Sequence, residues 1–121
     1  FALDVALERY HAEGMQAAFA RHARNARNVR AALQRLGFAL FSQPGAHSDT
    51  VVAAYPPPGA DPALLLRRLR EKYGVVLSGG QGELAGKIVR FGTMGAVGEA
   101  DFTAALCAIE SSLSELTSGV A

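Results

Sequence analysis

The chain has 121 residues, half of them hydrophobic and 19% charged, with a net charge of +1. That length gives one domain with a real core and is too short for two comfortable ones. The balance of charge gives no global pull toward nucleic acid or an anionic membrane, and no apolar run is long enough to span a bilayer. A single cysteine, Cys107, excludes an internal disulfide and a disulfide-stapled scaffold and fits a reducing, cytoplasmic setting. The chain opens on Phe1, without an initiator methionine and already in helical periodicity, and so reads as a piece of a longer protein.

From Leu3 to Leu36 runs one long helical pattern. Leu3, Leu7 and Tyr10 make a first apolar stripe, and Met15, Phe19, Ala26, Val29, Leu33 and Leu36 a second, with Gly14 where the phase changes and a bend is expected. Arg21, Arg24, Arg27, Arg30 and Arg35 gather in the second half. They come without interleaved aromatics and near the negative end of the helix dipole, so they read as a solvated or domain-contacting face rather than a nucleic-acid grip. Gly37 ends the helix. Strands are predicted at Phe38 to Ser42 and Val51 to Tyr55, joined through a loop with Pro44, Gly45, Ser48 and Asp49. His47 and Asp49 in that loop lack a third ligand nearby in sequence, and no metal site is expected. Pro56, Pro57 and Pro58 stop the second strand.

Asp61 followed by Pro62 is a helix start, Leu65, Leu66, Leu69 and Tyr73 its apolar side, and Gly74 its end. Two more β-rich runs follow, Val75 to Ser78 and Lys87 to Phe91. The last helix begins near Glu99 and places Phe102, Leu106, Ile109, Leu113 and Leu116 inward, with Cys107 as a partly buried packing residue; Ser118 to Ala121 are expected to fray. The order is αββαββα. Short connections favour antiparallel pairing, giving an α+β fold: one domain over residues 1–121, with a small four-stranded, antiparallel-rich sheet and three helices packed on one face.

The segment from Val75 to Gly95 holds the chemistry. Alternation places Arg90 on the strand face opposite Val89 and Phe91, beside a loop containing Gly79, Gly80, Gln81 and Gly82. A five-donor fork beside a glycine loop suits a carboxylate or phosphate; an arginine that merely faces water is the other reading. The phosphate-loop spacing fails, because Gln81 stands where glycine is required and Ile88 follows Lys87. Gly80, Gly82 and Ala85 satisfy a dinucleotide fingerprint, but a strand follows where that grip requires a helix N-terminus. No nucleophile stands in relation to a base, so no complete active site is expected.

These residues resemble a known family. The run Gly74 to Gly80, the loop Gln81 to Gly86 and the phrase Lys87-Ile88-Val89-Arg90-Phe91-Gly92-Thr93-Met94-Gly95 are similar to the C-terminal small domain of class V pyridoxal-phosphate-dependent aminotransferases. The nearest likeness is to the serine–glyoxylate, serine–pyruvate and alanine–glyoxylate branch. It extends back to Phe19-Ala20-Arg21-His22 and covers nearly the whole chain. The resemblance implies that Arg90 binds the substrate α-carboxylate, with Gly79, Gly80, Gln81 and Gly82 near the mouth of the site. It implies pyridoxal 5′-phosphate on a Schiff-base lysine of a large domain absent here, and a cytoplasmic homodimer acting on small amino and keto acids. Lys72 and Lys87 do not fall on that lysine, so no catalytic or cofactor-binding residue is expected within the chain, which alone would be inactive. Phe91 and Thr93 stand where isoleucine and histidine often occur, which leaves the exact substrate open. The alternative is a free-standing α+β module that clasps an amino acid without catalysis.

Overall fold

The computed structural model describes residues 1–119. Helices α1 (Ala2–Glu13) and α2 (Met15–Arg35) lead into strands β1 (Ala39–Leu40) and β2 (Val51–Tyr55). Helix α3 (Pro62–Tyr73), strand β3 (Ser78–Gly79), a short 3₁₀ turn (Gly82–Leu84), strand β4 (Val89–Gly92) and helix α4 (Glu99–Thr117) complete the order. The four strands form one antiparallel sheet in the order β1-β2-β4-β3. The α+β class and the antiparallel sheet are as expected.

Alternation along the strands decides which face is core. Val52 and Ala54 of β2 and Val89 and Phe91 of β4 are buried, and they join Val29 and Leu33 of α2, Leu65 and Leu69 of α3 and Phe102 and Ile109 of α4 in one cluster. Val51, Ala53 and Tyr55 of β2 and Arg90 of β4 lie on the other face, exposed or half-buried. Three helices thus cover one side of the sheet.

Local chemistry explains the elements that the sequence predicted well. Asp61 Oδ1 accepts from the amides of Ala63 at 2.8 Å and Leu64 at 3.2 Å, holding the start of α3, and Gly74 closes it at φ 66°. Gly37, at φ 87°, closes α2 in the same way, with the Phe38 amide returning to the Leu33 carbonyl at 3.0 Å.

Three expectations need correction. The long first helix is two helices, because Gly14 takes φ 86° and ψ 139°, a positive-φ conformation that favours glycine and that stops α1 and starts α2. With it, Leu3, Leu7, Met15 and Phe19 prove to be exposed rather than core. The third strand begins at Ser78 rather than Val75, because the Val75 amide is engaged by the Leu69 carbonyl at 3.0 Å as part of the α3 cap. Cys107 is exposed, since Ala105, Ala108 and Ile109 supply the buried stripe of α4 around it. Of the residues expected to fray, Ser118 is bonded to the Ser114 carbonyl, while Val120 and Ala121 lie outside the described residues.

Candidate functional site

The register of the sheet sets the surroundings of Arg90. Ala53 pairs with Arg90 from one side and Ser78 from the other, so the arginine rises between two small neighbours on the exposed face. Its Nε donates to the Gly79 carbonyl at 2.7 Å across the β3–β4 pair. Among the described residues no other hydrogen bond or ion pair engages the guanidinium. Its two terminal nitrogens therefore remain as donors on a half-buried face.

The glycine loop lies immediately beside this contact. Gly79 supplies the acceptor, and the chain then turns through Gly80 and Gln81 into the 3₁₀ turn. The turn is closed by the Leu84 amide on the Gln81 carbonyl at 3.0 Å and the Ala85 amide on the Gly82 carbonyl at 3.1 Å. Gly82 sits at φ 56°, which a side chain disfavours, and Gln81 is exposed. The structure thus brings Gly79 against Arg90, with Gly80, Gln81 and Gly82 following it in the chain.

The far end of β4 is fixed by residues that the sequence did not link to it. The Thr93 amide donates to the Thr50 carbonyl and its hydroxyl to the Asp49 carbonyl at 2.9 Å. Two residues on, Gly95 is held by α2: Arg21 donates to its carbonyl at 2.9 Å, and the Gly95 amide donates to His22 Nε2 at 3.3 Å. With His22 Nδ1 lying 2.7 Å from the Ala18 carbonyl, the imidazole proton belongs on Nδ1. The Arg21 guanidinium also binds Glu13, which holds that carboxyl below the usual carboxylate range and raises the arginine. No local signal joins positions more than 70 residues apart; only the co-occurrence of the Arg21-His22 and Met94-Gly95 phrases points to it.

The remaining candidates separate from the site. His47 is bonded to Ser42, and the Asp49 carboxylate faces Arg30 at 3.9 Å. Among the described residues no group of three metal-ligating side chains forms, and no helix is long and apolar enough to cross a membrane. Lys72 is paired with Glu115 between α3 and α4, and Lys87 is exposed at the exit of the 3₁₀ turn. Neither stands in the row of the sheet with Arg90. Phe91 and Thr93 are both buried, Phe91 against Phe102 with ring centres 5.8 Å apart. Phe91 thus packs into the core, whereas the buried Thr93 is engaged by the Asp49 carbonyl.

Comparison with known proteins places this fold among aminotransferases. No family model matches the chain. An uncharacterized aminotransferase of Methanocaldococcus jannaschii is 41% identical over 116 residues, 96% of this chain and 30% of that protein. A soluble hydrogenase small subunit of Synechococcus sp. is 37% identical, again over 96% of this chain and 30% of its own length. Among solved structures, alanine–glyoxylate aminotransferase from Nostoc sp. superposes with a TM-score of 0.88 at 30% identity, covering 93% of this chain and 30% of that one. The chain spans about a third of the length of the relatives it matches. It is homologous, over nearly all of its own length, to part of the class V aminotransferases, the group that holds the serine–glyoxylate, alanine–glyoxylate and pyridoxamine–pyruvate enzymes.

Proposed function

We propose that the chain is the C-terminal small domain of a pyridoxal-phosphate-dependent aminotransferase and that Arg90 is its anchor for the substrate α-carboxylate. The observation that carries this reading is the pair of unengaged terminal nitrogens of Arg90 on the exposed face of the sheet. The substrates are small amino and keto acids, with serine or alanine as donor and glyoxylate or pyruvate as acceptor. Donor and acceptor share an α-carboxylate and differ at the reacting carbon, so one fixed fork can orient both while the rest of the pocket stays tolerant. When bound, pyridoxal phosphate supplies the carbonyl that takes up and returns the amino group; it would be held by residues of a large domain outside this chain, in a cytoplasmic homodimer. The hydrogenase name of one relative gives Arg90 no task, because dihydrogen carries no charge for a guanidinium to clamp.

In the full-length enzyme, Arg90→Ala is expected to raise the KM of donor and acceptor alike by about tenfold or more, the worth of one charge-assisted pair. Arg90→Lys should recover little of this, since an ammonium has no planar fork. Steady-state kinetics with both substrates decides the matter, and constants equal to those of the parent enzyme would refute the assignment.

A further inference from the structure

We propose that Gly80 is a positioning residue for Arg90: it keeps the Gly79 carbonyl aimed at Arg90 Nε, so that the α-carboxylate is received end-on by the two terminal nitrogens. The inference rests on Arg90 being the carboxylate anchor and says how that anchor is set.

A guanidinium can grip a carboxylate bidentately along an edge that includes Nε or along the edge formed by its two terminal nitrogens. The bond from Nε to the Gly79 carbonyl, at 2.7 Å, engages the first edge and leaves the second. It also restrains the torsions of a long side chain that would otherwise sample many rotamers. Arg90 is thus aimed by backbone belonging to the neighbouring strand.

What holds that backbone is the absence of a side chain at Gly80. A Cβ there would stand 2.0 Å from the Leu84 carbonyl oxygen, 2.5 Å from its carbon and 2.9 Å from Ile88 Cγ1. The Leu84 carbonyl cannot easily withdraw, because it accepts from the Lys87 amide at 3.0 Å while the Leu84 amide is tied to Gln81. Ile88 is buried. The movable unit is therefore the peptide joining Gly79 to Gly80, and the oxygen of that peptide is the acceptor of Arg90 Nε. Any substituent at Gly80 is transmitted to the fork through one peptide plane. Gly82 and Gly86 differ: both lie at positive φ, and nothing stands within 4 Å of a Cβ at either. Gly80 alone among the three is required by close approach.

The test compares substrates with and without the carboxylate. In the full-length enzyme, kcat/KM is measured for L-alanine and for ethylamine, which shares its reacting amine and lacks the carboxylate. Gly80→Ala is expected to lower the preference for alanine by about tenfold through KM, leaving ethylamine unchanged. Gly86→Ala should leave the preference as in the parent enzyme. A Gly80→Ala enzyme that loses both substrates equally, or neither, overturns the proposal. Arg90→Ala separates the two levels: if it leaves the preference intact, the carboxylate reading itself fails, whereas a selective loss in Arg90→Ala without one in Gly80→Ala refutes the positioning role alone. Should Gly80→Ala not fold, nitrogen NMR of the arginine-labelled parent enzyme gives a second reading. The Arg90 Nε–H signal, assigned by its loss in Arg90→Lys, should exchange slowly and stay in place when pyruvate is added, while the terminal nitrogens shift. Fast exchange, or a shift at Nε in place of the terminal nitrogens, contradicts end-on binding.

Discussion

Helices α1 and α3 are each twelve residues long, and they stand at opposite extremes of support. Helix α3 has a side-chain cap at Asp61, a left-handed glycine at its end and two fully buried leucines against the core. Helix α1 has no side-chain cap and no buried residue, and its Leu3 and Leu7 lie open with Met15 and Phe19 beyond the break. Val5, Tyr10, Phe19 and Met94 instead wall an apolar cleft of ≈ 690 Å³ between α1, α2 and the loop after β4. Isolated helices of this length are marginal in water. The same local pattern is therefore held by packing in one case and, in the other, only by its junction with α2.

The contrast can be broken most directly by truncation. Leu69→Ala should destabilise the fold by about 2–5 kcal/mol, while Leu7→Ala should change it by about 0.5 kcal/mol or less. Denaturant midpoints measure both, and equal losses would erase the distinction. Removing the cap comes next: Asp61→Ala should cost about 1 kcal/mol, seen as a lower midpoint with unchanged slope, and no residue of α1 offers an equivalent loss.

The smallest effects belong to the ion pairs. Lys72, Tyr73 and Arg68 of α3 converge on Glu115 of α4 and hold its carboxyl below the usual range, the hydrogen bond from Lys72 contributing most. A carboxylate lowered in this way stabilises the fold above the pKa it has when unfolded, and that contribution disappears as pH falls through the lowered folded value. Glu115→Gln should flatten the acid limb of the stability profile. Glu13 is lowered likewise by Arg21, but it joins α1 to α2. Glu13→Gln should therefore speed amide exchange within α1 and leave the global midpoint where it was; a lowered midpoint would show that α1 is part of the cooperative unit.

What was legible in the sequence divides along the same line. The bounds of α3 could be read because Asp61, Pro62 and Gly74 act within a turn of themselves. Arg90 could be placed by alternation alone, since period two needs no knowledge of partners. Met15 and Phe19 were misread because helical spacing marks an apolar face without saying whether anything in the chain covers it. The start of β3 was misread because two elements compete for the Val75 amide, and the helix cap takes it. The anchor of Arg90 lies across a hairpin, eleven residues away, and the crowding at Gly80 depends on the turn that brings Leu84 back toward it. Neither has a signature in spacing.

The attachment of Gly95 to α2 has a mechanical consequence. Strand β4 is a beam clamped at both ends, by the Gly79–Leu84 turn on one side and by Thr93, Arg21 and His22 on the other. A beam fixed at one end swings, whereas one fixed at both resists deflection most strongly near its supports. Arg90 sits two residues into a four-residue strand, close to both. Displacing the β4 backbone beneath the fork therefore means disturbing α2 as well as the sheet, which leaves the Gly79–Gly80 peptide as the local lever on the guanidinium itself.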